Sequence, residues 1–178
     1  MRNIADHLFD IIENSVNANA SEVIVKIAFS EGRFFCSISD NGIGIVSQEV
    51  LDPFVTSRKT RKVGLGLPLL KKAVEDTGGY LRIMRLNRNG GTNLEFEMDM
   101  SHIDAKPFGD LPQTFSDIFF AWPELNLKLF IKNGNLENLI LDFQELRNNT
   151  NHGLKNYLNV RKYICEVIQK ELRKINIE

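Results

Sequence analysis

The sequence predicts an α/β (α+β) two-layer sandwich, a mostly antiparallel sheet with helices on one face, followed by a small α+β C-terminal extension. Three observations predict it. Apolar residues recur at helical spacing over Asn3 to Ala18; two strand–turn–strand patterns occupy Glu22 to Ser39 and Tyr80 to Met100; a second helix lies between them. Helix, two strands, loop, helix, two strands is an order that packs its helices on a single face of one sheet.

In the first helix Ile4, Leu8, Ile11, Ile12 and Val16 form an apolar stripe. At about 100° per residue His7, Asp10, Asn14 and Asn17 gather on a different face, and Glu13 projects roughly 60° from the middle of that polar stripe. Asn19, a residue tolerant of left-handed geometry, is expected to end the helix. Glu22 to Phe29 alternates Val23, Val25, Ile27 and Phe29, and Phe34 to Ser39 is rich in strand formers, with Glu31-Gly32 as the turn. A short helical turn is expected over Gln48 to Leu51 with Ser47 as N-cap, then a polar, basic loop over Asp52 to Val63. The next helix is expected to start at Pro68 and to end at Gly78-Gly79. Tyr80 to Leu86 and Thr92 to Met100 then form a hairpin across Asn87 to Gly91.

Periodicity breaks at 101–112, read as a linker after a first domain of residues 1–100. Beyond it come an apolar helix (Thr114 to Trp122), a hairpin (Asn126 to Ile131 and Leu136 to Phe143, turning at Asn133-Gly134) and a closing helix from about Leu154 to Lys174. This extension, 113–178, is too small for a comfortable core of its own and is expected to pack on the first domain.

Composition bounds the class without naming a function. The 178 residues carry 22 Lys and Arg against 23 Asp and Glu, so a nucleic-acid partner has no basic excess to meet. No run is long and apolar enough for a membrane helix, and Arg2, Asp6 and Asp10 are incompatible with a signal peptide. Cys36 and Cys165 are far apart, without a CxxC pattern, which reads as reduced thiols in a cytoplasmic protein. The expectation is no membrane and no nucleic acid.

Three pieces carry chemistry. Asp10 and Asn14 lie one helical turn apart, and a carboxylate beside an amide oxygen suits a hard cation with its water. Asp40-Asn41-Gly42-Ile43-Gly44 follows a strand: a carboxylate there can accept from an exocyclic amine while glycines let a flat base approach the backbone. Gly64-Leu65-Gly66-Leu67 leads into a helix, exposing backbone N–H groups to an anion, and Arg58, Lys59, Arg61 and Lys62 crowd just upstream. Neither a dinucleotide fingerprint nor a Walker A loop fits these spacings.

Together, over about residues 3–100, the pieces resemble the ATP-binding (Bergerat) fold shared by gyrase, ninety-kilodalton heat-shock chaperones, histidine kinases and the mismatch-repair ATPase. Asp10 to Ala20 is similar to that family's N box and Asp40 to Gly44 to its G1 box. Asp52 to Arg58 is similar to the histidine-kinase lid motif and Gly64 to Leu67 to the G2 box, while Gly91-Thr92 opens the strand on which the family places a threonine. The resemblance implies ATP and magnesium as ligands. Asp40 and Thr92 would read adenine; Asn14 would hold magnesium; Asn17, Gly42, Gly44, Thr56, Arg58, Gly64, Leu65, Gly66 and Leu67 would complete the nucleotide site.

The departures matter too. Hydrolysing members carry a glutamate four residues before the asparagine, and Asp10 stands there, one methylene shorter, as candidate base or water-positioner. The lid from Gly44 to Gly64 is short, and no phosphoacceptor histidine hairpin is present. His7 is expected to pack or hydrogen-bond. The whole chain resembles small stand-alone histidine-kinase-like ATP-binding proteins of anaerobic bacteria, sometimes encoded near iron hydrogenases. Three uses of ATP stay open: a protein kinase of the anti-sigma type, a nucleotide sensor acting on a protein partner, or a slow ATPase with nucleotide-driven lid and tail movement.

Overall fold

A computed structural model describes residues 1–44, 66–88, 90–152 and 157–177, with backbone alone at 150–152. The expected helical turn at Gln48 to Leu51 and the loop from Asp52 to Val63 lie outside the described residues.

α1 (Ile4–Asn17) starts at Asn3, whose side chain accepts from the Asp6 N–H at 2.7 Å. Its next donors are satisfied from far along the chain: Ile4 N–H donates to the Pro107 carbonyl and Ala5 N–H to that of Phe108, both at 2.9 Å. The segment after residue 100 thus caps the first helix. Asn19 is left-handed at φ 59, as its place after the helix requires.

β1 (Glu22–Ser30) and β2 (Arg33–Asp40) form a hairpin through Glu31 and Gly32, both at positive φ. α2 (Gly66–Glu75) begins two residues earlier than Pro68, so the proline stands inside the first turn rather than at its first position. β3 (Tyr80–Asn87) and β4 (Gly90–Asp99) make the second hairpin with a tighter turn than Asn87 to Gly91, because Gly90 and Gly91 already belong to β4. α3 (Leu111–Ala121) starts three residues before Thr114: Asp110 is the N-cap and Pro112 occupies the first turn. β5 (Asn126–Asn133) and β6 (Leu136–Asp142) follow, then α4 (Phe143–His152), which periodicity did not predict, and α5 (Tyr157–Lys174).

The six strands of the described residues join one sheet in the order β3-β4-β2-β1-β5-β6. Every pairing is antiparallel except β1 with β5, which is parallel from Glu22↔Asn126 to Ala28↔Lys132. The C-terminal hairpin therefore continues the sheet of the first hundred residues. One face of the sheet takes the helices. Val23, Val25 and Ile27 of β1, Phe34, Cys36 and Ile38 of β2, Leu94, Phe96 and Met98 of β4, and Leu127, Leu129 and Ile131 of β5 point into a core with Leu8 and Ile12 of α1, Leu70 and Val74 of α2, Phe115 of α3 and Ile164 of α5. This is an α+β fold whose single core spans both halves of the chain.

Candidate functional site

The end of β2 and the second half of α1 meet where the sequence placed its chemistry. Asp40 is the last residue of β2, 8% exposed, and three elements fix its carboxylate. Oδ1 accepts from the Gly42 N–H at 2.9 Å and from the Thr92 N–H at 3.3 Å, while Oδ2 accepts from the Ser15 hydroxyl at 3.0 Å. Among the described residues, hydrogen bonds and not a cation compensate this buried carboxylate. A carboxylate offers about four lone-pair directions, so it can accept one further bond from an amine beside it. Thr92 pairs with Asp40 across β2 and β4, is equally buried, and so shares its face.

The turn after Asp40 is laced on both sides. Ile43 N–H donates to the Ala18 carbonyl at 2.9 Å, and Gly91 N–H donates to the Gly42 carbonyl at 2.7 Å. A methyl group on Gly42 would press on the Ala18 carbonyl; one on Gly44, at φ +76, would press on the backbone of Gly91. Gly90 is packed just as closely, against the Gly42 carbonyl. Bare backbone is what lets the loop, the helix end and the hairpin approach one another here.

On α1, Asn14 Nδ2 donates to Asp10 Oδ2 at 3.2 Å, so the expected adjacency is present. That bond uses the amide nitrogen; a hard cation would take an amide oxygen such as Oδ1, and a carboxylate such as that of Asp10 can accept from a coordinated water. The donor chemistry fits magnesium. Gly66, the first residue of α2, lies directly against Asp10: a Cβ there would fall on the carboxylate. Asp10 and Asn14 of α1, the start of α2 and the Asp40–Thr92 pair are thus placed by two helices and two adjacent strands.

Other expected residues stand differently. Asn17 is exposed at the last residue of α1, with no hydrogen bond to the rest of the site among the described residues. Leu67 is half-buried and packs against the core. Thr56, Arg58, Gly64 and Leu65, with the cations Lys59, Arg61 and Lys62, lie outside the described residues. His7 shares the polar stripe by arithmetic yet is 2% exposed; burial first, and then the nearby N-terminal amine, lower its pKa to about 4. Its Nδ1 finds no hydrogen-bond partner among the described residues, so His7 is a packing residue.

Three residues the motifs did not single out complete the site. Ser15 sits beside Asn14 and holds Asp40; its signal was a small hydroxyl at the border of the apolar stripe. Asn41 accepts from the N–H groups of Ser21 and Glu22, both at 2.9 Å, pinning the loop to the start of β1. Gly90 doubles the glycine of the Gly91-Thr92 pair.

The family model described as histidine kinase-, DNA gyrase B-, and HSP90-like ATPase matches residues 2–102. Among solved structures, the N-terminal domain of a DNA repair protein aligns over 80% of this chain and 53% of its own at 13% identity, with a TM-score of 0.53, a likeness of fold. The catalytic domain of the histidine kinase ThkA aligns over 52% of this chain and 64% of its own, at 24% identity and a TM-score of 0.41. A mycobacterial sensor histidine kinase, MprB, aligns over 51% and 67% respectively, at 26% and 0.38. The chain thus spans between about half and two thirds of the length of these structures. No curated protein matches.

Proposed function

The chain belongs to the family of histidine kinase-, DNA gyrase B- and HSP90-like ATPases, and from that premise we propose that it binds ATP with magnesium and uses the nucleotide in regulation, as a protein kinase of the anti-sigma type or as a sensor acting on a protein partner. The observation that carries the reading is the Asp40 carboxylate, oriented by Ser15, Gly42 and Thr92 at the end of β2. An acceptor-only group in that position selects a base with an exocyclic amine over one with a carbonyl. Gly42 and Gly44 keep the loop low enough for the base to lie flat. Asn14 offers Oδ1 to magnesium, which would neutralise charge on the phosphates. In this reading Arg58, Gly64, Leu65 and Gly66 face the phosphates, and Thr56 belongs to the lid.

The test is calorimetry of ATP binding to Asp40→Asn. One carboxylate oxygen becomes a donor, so affinity is expected to fall by about 1–3 kcal/mol, the scale of a hydrogen bond to a charged group. Unchanged affinity removes the assignment. A second reading, a slow ATPase, draws on the Asp10–Asn14 hydrogen bond, which sets a carboxylate beside the proposed magnesium ligand. Single-turnover reactions with γ-labelled ATP separate the uses. Phosphate release abolished by Asp10→Ala supports hydrolysis; label on an added protein supports a kinase; intact ATP supports a sensor.

A further inference from the structure

The sheet ends at β3 on one side and at β6 on the other, and the two edges are built differently. β6 carries a register shift opposite Leu129 and Phe130, and its acids are already matched: Glu137 pairs with Lys26 at 2.7 Å and Asp142 approaches Lys128 at 3.9 Å. A bulge with neutralised charge is a common way to close an edge. β3 pairs with β4 without a register shift, and Arg82 and all of Met84 to Arg88 are exposed. Its outer backbone meets no other strand among the described residues.

Arg82, Arg85 and Arg88 recur every third residue along this edge, and none forms an ion pair with a carboxylate among the described residues. Two of them are held along the chain. The Arg82 guanidinium lies over the Tyr80 ring, 5.0 Å from its centre. Arg85 donates from Nε to the Asn87 carbonyl at 3.1 Å and from Nη2 to that of Arg88 at 3.4 Å. Between the cations Met84 is 48% and Leu86 51% exposed. A guard against strand addition would project its charges across the edge; here two guanidiniums fold back on their own chain and leave apolar side chains between them.

We propose that the outer edge of β3 docks an extended acidic segment of a partner protein, which adds to the sheet as a further strand. Backbone pairing would supply affinity, carboxylates would meet Arg82 and Arg88, and apolar side chains would rest on Met84 and Leu86. Charge complementarity selects the occupant: a second copy would set arginines against arginines, and single-stranded nucleic acid would need a row of stacking rings where only Tyr80 stands.

The test uses the full chain without nucleotide, so its outcome is separate from that of the ATP assignment. The probe is a capped heptapeptide Glu-Thr-Val-Thr-Val-Thr-Glu, whose glutamates and valines share one face as Arg82, Met84, Leu86 and Arg88 do, followed by amide chemical shifts and by anisotropy of a labelled form. Expected are shifts concentrated in residues 80–88. Binding should weaken by at least about tenfold in Arg82→Glu/Arg88→Glu at an unchanged melting temperature. A peptide N-methylated at alternate backbone nitrogens should lose binding similarly, without any change to the protein. Equal binding of a lysine–valine peptide, equal binding of oligothymidine, shifts centred elsewhere, or no binding overturns the proposal.

Discussion

Asp40 shows how much of a site one residue can organise. Its neighbour Thr92 was legible through the family resemblance, and the two meet in register where β2 ends and β4 begins. Ser15 was not, because a lone serine in a helix carries no motif and its contact with Asp40 spans 25 residues. Ser15→Ala removes one of three bonds to a buried carboxylate and is expected to weaken ATP binding by about 1 kcal/mol, leaving the melting temperature of the free protein within a few degrees. A calorimetric titration beside a thermal melt checks both. Gly66→Ala tests the adjoining contact. The added methyl must displace the Asp10 carboxylate, so the proposed hydrolysis is expected to fall by at least about tenfold while Asp40 and its base contact are untouched. Retained turnover in that variant would detach Asp10 from the chemistry.

Elements with a strong apolar period were legible, and α4 was not. Among the described side chains of Phe143–His152, Phe143 and Leu146 are the buried anchors, too few to make a stripe. What starts it is a cap: Asp142 Oδ1 accepts from the Gln144 N–H at 2.9 Å and the Glu145 N–H at 3.1 Å. Arg147 then ties the helix back, donating to the Leu125 carbonyl at 2.6 Å and stacking between Phe119 and Phe143. Asp142→Ala is expected to cost about 1 kcal/mol in urea denaturation, the usual worth of a cap. Starting points of helices erred by two or three residues for a related reason. At α3 the boundary is set by Asp110, whose side chain accepts from the Gln113 N–H, a bond that the spacing of apolar residues does not record.

At the scale of the molecule, stability and acidity are linked through His7. Its folded pKa lies below its ordinary value because burial disfavours the charged ring, with the N-terminal amine and Lys106 acting in the same direction and Asp6 against them. The folded state therefore binds fewer protons than the unfolded chain between about pH 6.5 and 4. Stability is fully present above that range and is lost as pH falls through it, by on the order of 2–3 kcal/mol at pH 4.5. Denaturant melts at pH 7 and 4.5 are expected to show that loss, and His7→Leu to flatten it. Among the described residues no helix is long and apolar enough to cross a membrane. The parallel pairing of β5 with β1 was the architectural fact that local pattern could not supply, since nothing in either strand names a partner a hundred residues away. That pairing also imposes an order on synthesis. When the first hundred residues have left the ribosome, β1 already has its hairpin partner but its other flank is bare, and α1 lacks the carbonyls of Pro107 and Phe108. Until the remainder emerges, the nascent chain offers an unfinished sheet that a chaperone or a neighbouring polypeptide could engage, so the late residues complete the fold and protect the early ones from misassembly.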